Sequence, residues 1–173
     1  MGIKWIKLDS VVSTNSYLTE LIKLGEGNDD LVVTAEYQTN GRGLGSHSWQ
    51  SRKGENLLMS YLLHPAFLSA SEQFQISRLT SLAICDVLKS MKLDTFIKWP
   101  NDILTVRGKI AGIRIELGIS GGSISHAILG IGINLNKLVF PSFSVQATSV
   151  IREKGNAVDP IHVADQLMKR ILI

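Results

Sequence analysis

Residues 110–133 read IAGIRIELGISGGSISHAILGIGI, two β-branched apolar runs joined through a glycine- and serine-rich link at 118–122. Each run, 110–117 and 124–133, has the length and composition of a strand, and the link between them reads as a hairpin turn. A hairpin this long makes an antiparallel sheet the organising layer of the chain. Gly130 and Gly132 interrupt the second run. Interior strand glycines mark places where a ligand or another backbone comes close.

Working outward, residues 3–8 alternate as a short strand, and residues 31–37, 56–63, 95–99 and 103–106 read as further strands. Ser13, Thr14 and Asn15 offer capping oxygens to a helix whose apolar stripe is Tyr17, Leu18, Leu21 and Ile22, stopped by Gly25 and Gly27. Ser69 and Glu72 have capping-box spacing ahead of a longer helix, with Ile76, Leu79, Ala83, Ile84, Val87 and Leu88 as its core face. Asp159-Pro160 places a cap and a first-turn proline before a last helix. The pattern predicts one α+β domain over residues 1–173: a mainly antiparallel mixed sheet with helices packed on one face.

Composition narrows the class. With 173 residues, 45% hydrophobic and 19% charged, the chain is long and apolar enough for one real core. Net charge is +3 with no Lys/Arg block, which gives nucleic-acid or membrane binding little support. Cys85 is the single cysteine and sits on an apolar helix face, so no disulfide framework exists and a reducing, cytoplasmic setting is expected. His47, His64, His126 and His162 lack metal-ligand spacing, and the N-terminus has no apolar targeting segment. The last helix runs into Ile171-Leu172-Ile173 with no stop signal, which reads as a chain cut short.

Residues 38–54, QTNGRGLGSHSWQSRKG, hold four glycines and two arginines between two apolar runs. Backbone amides unobstructed by Cβ atoms, with guanidinium charge above them, can wrap an anion, although neither common nucleotide fingerprint is present. A flexible surface loop is the plainer interpretation. Lys98-Trp99-Pro100-Asn101-Asp102 follows a strand; Asn-Asp after proline suits an ordinary turn, yet a turn requires neither the lysine nor the tryptophan. Gly108-Lys109-Ile110-Ala111-Gly112 opens the long hairpin, with an ammonium available to anything lying over the strand end. Gly130 to Asn136 puts glycines and asparagines at the other end of that hairpin.

Taken in order, STN, QTNGRG…W, KWPND, KIAG and GIGINLN resemble the catalytic domain of biotin–protein ligases over residues 13–136. Lys109, seven residues after the Asp102 of KWPND, completes the most specific pair. The resemblance implies a class II aminoacyl-tRNA synthetase-like fold and an enzyme that makes biotinyl-5′-AMP from biotin and ATP. The biotin is then passed to a lysine of a biotin carboxyl carrier protein. By resemblance, Ser13, Thr14, Asn15, Gln38, Gly41, Arg42, Lys109, Gly112 and Gly130 bind biotin, with Gly132 leaving further room. Arg42, Gly43, Trp49, Asn101, Lys109 and Asn134 lie by the nucleotide. Lys109, Arg42 and Asp102 carry catalysis, and Mg2+ arrives with ATP near Asp102 with no fixed protein site.

The family loop often reads GRGRxGRxW, whereas here Leu44, Ser46 and His47 stand at the later arginine positions, leaving Arg42 as the permanent charge; Arg52 and Lys53 are candidate substitutes. The family usually continues into a small C-terminal β-barrel, which is absent from these residues, and no DNA-binding module precedes Met1, so a monofunctional ligase without a repressor role is expected. Monomer and homodimer are both compatible with the edge strands. A lipoate or octanoate ligase shares the fold and a related lysine. A non-catalytic biotin- or carrier-binding protein is the alternative from another class, motivated by the depleted arginines.

Overall fold

The computed structural model describes residues 3–45, 48–141 and 146–172. The elements run β1 (Lys4–Val11), α1 (Thr14–Lys23), β2 (Leu31–Gln38), β3 (Leu57–Leu63), α2 (Phe74–Ser90), β4 (Phe96–Lys98), β5 (Asp102–Thr105), β6 (Gly108–Ser120), β7 (Ser123–Ile133), α3 (Val150–Lys154) and α4 (Pro160–Ile171). Among the described residues, seven strands make one sheet in the order β1-β2-β3-β7-β6-β5-β4. β1 and β2 pair in parallel across the α1 crossover, and the remaining neighbours are antiparallel. The β6–β7 hairpin lies inside the sheet with a partner on each side, which is why both its runs are so apolar.

Alternation divides the sheet into two faces. Met59, Tyr61, Leu129 and Ile131 point to one face, with Ile84, Val87 and Leu88 of α2 and Val163, Leu167 and Met168 of α4 in the same cluster. Leu31, Val33, Leu62 and Ile128 point to the other, where Leu18 of α1 is fully buried among them. Helices against one face describes α2 and α4; α1 is the exception. It packs chiefly on β2, β3 and β7 and leaves the face over β6 and β5 open on that side.

Two expectations need correction. Leu79 is 41% exposed, because the buried stripe of α2 runs Ile76, Thr80, Ala83, Ile84, Val87, Leu88 and passes one residue to its side. Thr80 can sit in that stripe because its hydroxyl donates to the Ile76 carbonyl at 2.8 Å. Ser13 occupies the N-cap of α1 in extended geometry, but its hydroxyl makes no capping bond. Asp159, in contrast, accepts from the Ile161 amide at 3.0 Å with Pro160 in the first turn of α4, as its sequence implies.

Candidate active site

The sheet face that α1 leaves open carries a cleft enclosing about 450 Å³, its mouth included. Its polar wall is the N-terminus of α1. Gln38, at the end of β2, reaches across so that its Oε1 accepts from the Thr14 amide at 2.8 Å and the Thr14 hydroxyl at 3.2 Å. The cap is therefore supplied from another element, which leaves the Ser13 hydroxyl free of that task. Ser60 of β3 lies 2.7 Å from Thr14 Oγ1 and 2.6 Å from Asn15 Oδ1, both within the buried layer. Asn15 packs against Gly130: a Cβ there would sit 2.9 Å from Asn15 Cγ. Gly130 is small because a protein side chain occupies the adjoining space.

The described ends of the glycine-rich loop meet beside this wall. The Trp49 amide donates to the Gly41 carbonyl at 2.8 Å and Arg42 bridges Ser48, so residues 41 and 49 form its base. Gly41 permits this approach, since a Cβ would lie 2.5 Å from the Trp49 carbonyl oxygen. Ser46 and His47 lie outside the described residues. Arg42 donates to Ser16 Oγ at 3.0 Å and pairs with Glu116 at 3.4 Å. The Trp49 ring lies against Gly132 and Gly112, with hypothetical Cβ atoms 2.5 Å from Cε2 and 3.0 Å from Cζ3. Trp49 Nε1 is buried without an acceptor among the described residues.

Lys109 stands at the opposite side. Its Nζ is 2.6 Å from Asp102 Oδ1 and 5.8 Å from the Trp49 ring centroid, within cation–π reach. The Lys109 backbone is fixed by an amide donating to the Gln146 carbonyl at 2.8 Å and a carbonyl accepting from Thr148 at 2.9 Å. Asn101 holds the KWPND segment to β6 twice, through Ile113 N–H to its carbonyl at 2.8 Å and its Nδ2 to the Ile113 carbonyl at 3.2 Å. A register shift between Ile103 and Leu104 then brings Asp102 beside the Lys109 ammonium.

The cleft thus gathers Ser13, Thr14, Asn15, Gln38, Arg42, Gly43, Trp49, Asn101, Lys109, Gly112, Gly130 and Gly132 of the residues named from sequence. Gly41 and Asp102 stand one layer behind. Asn134 is buried away from the lining, its backbone tied to Ile110 and Val150. Neither Arg52 nor Lys53 lines it, and Lys53 pairs instead with Asp9 and with Glu36 on the surface. Two groups were not read from sequence. Arg114 lines the cleft, and its Nη1 donates to the Gly43 carbonyl while its Nε lies 2.7 Å from Glu116. The signal was the two-residue alternation along β6, which puts Gly112, Arg114 and Glu116 on the cleft face and Ile113, Ile115 and Leu117 toward the core.

Glu116 is the shared acceptor of this corner, taking Arg114, Arg42 and, at 3.3 Å, Asn15 Nδ2. Burial by itself would raise its carboxyl, but the hydrogen bonds from Arg114 and Asn15 and the charges of both arginines outweigh burial. The group is held below the usual carboxylate range. Among the described residues, no three His, Cys, Asp or Glu side chains are clustered as a metal site, and no helix is long and apolar enough to cross a membrane. The arrangement is a polar pocket for a neutral hydrogen-bonding group, leading to three cations suited to bound anions.

Residues 8–134 match the biotin/lipoate A/B protein ligase family model. The chain is 33% identical over 172 residues to the bifunctional ligase/repressor BirA of Bacillus spizizenii, covering 97% of this chain and 52% of that protein. It is 34% identical over 163 residues to the biotin–[acetyl-CoA-carboxylase] ligase of Paracoccus denitrificans, covering 89% and 67%. It therefore spans about half the length of the Bacillus relative. The biotin protein ligase of Aquifex aeolicus, solved in complex with biotin and ATP, superposes with a TM-score of 0.78 at 29% identity, over 97% of this chain and 68% of that one.

Proposed function

The chain belongs to the biotin/lipoate A/B protein ligase family, and from that premise we propose that it carries the catalytic domain of a biotin–protein ligase. It joins biotin to AMP and passes the biotinyl group to a lysine of a carboxyl carrier protein. The observation that carries this reading is the division of one cleft into the Ser13–Thr14–Asn15–Gln38 wall and the Lys109–Arg42 cationic end. The wall suits a ureido ring, which both donates and accepts hydrogen bonds. The cationic end suits a carboxylate meeting a triphosphate.

In the first step a biotin carboxylate oxygen bonds to the α-phosphorus and the bond to pyrophosphate breaks. Two anions approach each other, so fixed positive charge at the meeting point lowers the barrier. Lys109, fixed by its backbone pairing and by Asp102, supplies that charge from one side. Arg42 supplies it from the loop. The carboxylates at this end, Asp102 and Glu116, are each already paired with a cation, which fits a Mg2+ held chiefly by phosphates; when bound with ATP, the ion would offset charge on the leaving pyrophosphate. In the second step a neutral lysine amine attacks the acyl carbon, AMP leaves, and the amine proton passes to a carboxylate, for which Asp102 is the candidate. The loop and Trp49 keep water from the mixed anhydride.

Biotin-dependent exchange of labelled pyrophosphate into ATP tests the first step. Exchange with biotin and none with lipoate supports the reading. Binding of biotin without exchange would turn it to a non-catalytic binding protein, and exchange with lipoate alone to a lipoate ligase.

A further inference from the structure

We infer that Arg114 is the second permanent cation of the cleft and the clasp that holds the glycine-rich loop over the adenylate, with Glu116 orienting it; this rests on the biotin-activating reading above. A lid over a phosphate-bearing acyl intermediate must supply donors that do not lose their charge. In this loop Arg42 does so, but position 44 is a leucine that is 47% exposed. Arg52 and Lys53 are outside the cleft. The missing charge comes from the sheet. Arg114 projects from β6, an interior strand and hence a more rigid support than the loop itself.

Its contacts are those of a clasp. Nη1 donates to the Gly43 carbonyl, a link between residues 71 positions apart, and Nε is anchored on Glu116 at 2.7 Å. Asn15 Nδ2 donates to the Arg114 carbonyl at 3.3 Å and to Glu116 at 3.3 Å, so the biotin-side wall and the clasp share one support. Arg42 reaches the same carboxylate at 3.4 Å. Two guanidinium groups thus converge on Glu116, where an arriving phosphate offers both a further anionic partner. Lining cations Lys109, Arg42 and Arg114 outnumber the paired carboxylates Asp102 and Glu116, leaving the corner net positive. A guanidinium carries five donors in a planar fork, so Arg114 can keep Gly43 and Glu116 and still turn an N–H toward phosphate. An ammonium cannot span these three directions with the same geometry.

Arg114 both holds the loop and binds the intermediate's phosphate, so its effect falls on retention of the intermediate rather than on formation of the bond. The test compares the wild-type chain with Arg114→Leu, Arg114→Lys and Glu116→Gln. In the absence of carrier, free biotinyl-5′-AMP released per pyrophosphate is expected to rise about tenfold or more in Arg114→Leu, the size of one lost charge-assisted hydrogen bond. Affinity for biotin alone should change by less than about threefold, since the ureido wall does not use this guanidinium. Arg114→Lys should recover only part of the retention, and Glu116→Gln should leak as well, which covers the case in which Arg114→Leu does not fold. Unchanged leakage in the folded variants overturns the inference, as does a parallel fall in biotin affinity. A ligand-free measurement separates this from the function itself. Trypsin cleavage after Arg42 in the empty protein should accelerate in Arg114→Leu relative to cleavage at other sites, and an unchanged relative rate overturns the clasp. If wild-type protein shows no exchange while this acceleration is seen, the proposed reaction falls and the clasp stands.

Discussion

Lys109 shows how one side chain gains a role from its surroundings. A lysine opening an edge strand is ordinarily a solvated charge, but here its backbone is bonded on two sides and its ammonium is set between Asp102 and the Trp49 ring. Lys109→Ala is expected to lower biotin-dependent pyrophosphate exchange by about 10²–10³-fold, the cost of removing one preorganised donor at a developing charge. Circular dichroism should show the same fold, and a wild-type exchange rate would remove Lys109 from the chemistry. Glu116 makes a second expectation, in pH. Its carboxyl is depressed from 4.5 in the folded protein. Its contribution to stability is therefore fully present above that unfolded value and is lost as pH falls through the lower folded one. The difference in melting temperature between wild type and Glu116→Gln should be flat from neutral pH down to about 4.5 and shrink below it. A difference that grows on acidification would reverse the assigned sign.

At the scale of elements, the β6–β7 hairpin and the Trp49 ring are built for each other. Gly132→Ala would place a methyl 2.5 Å from the indole carbons. Because the new atom meets a ring held under the loop, the expected cost is about 1–3 kcal/mol, typical of overpacking. A lowered denaturant midpoint at unchanged slope checks it, and an unchanged midpoint would mean that the ring moves away freely. The elements legible in sequence were those with strong local periodicity: the hairpin, the α1 stripe, and α4 with its Asp159 cap. What escaped had weak local signals. α3 spans five residues between Ser149 and a left-handed Gly155, too short for a helical stripe to be counted. The segment at Gln146–Thr148 that fixes Lys109 depends wholly on long-range pairing. Among site residues, short polar clusters at strand ends stood out, whereas Arg114 and Glu116 were hidden within an apolar strand. Only the cleft on that side of the sheet explains charges there.

The whole molecule joins the site and the fold through one sheet. Cleft residues come from the start of α1, the end of β2, the loop after it, the turn before β5, and both strands of the central hairpin. α2 and α4 pack on the opposite face of the same strands, so the strand-borne part of the cleft is ordered together with that core. Ligand binding should therefore stabilise the whole domain in one transition instead of only the loop. At a hundred times its dissociation constant, a ligand adds about 2.7 kcal/mol. For a domain of this size each kcal/mol corresponds to about 2–4 °C in melting temperature, so saturating biotin should raise it by about 5–10 °C. Lipoate, whose dithiolane ring has no N–H groups or carbonyl for Thr14, Asn15 and Gln38 to match, should move it by less than about 1 °C, since it would gain no hydrogen bonds from that wall to offset those the wall makes with water. Biotin with ATP should exceed biotin alone if the proposed adenylate forms and engages the cationic end. Two separate unfolding transitions under biotin would show that cleft and core are not one cooperative unit, and equal shifts from lipoate and biotin would show that the polar wall does not choose between them.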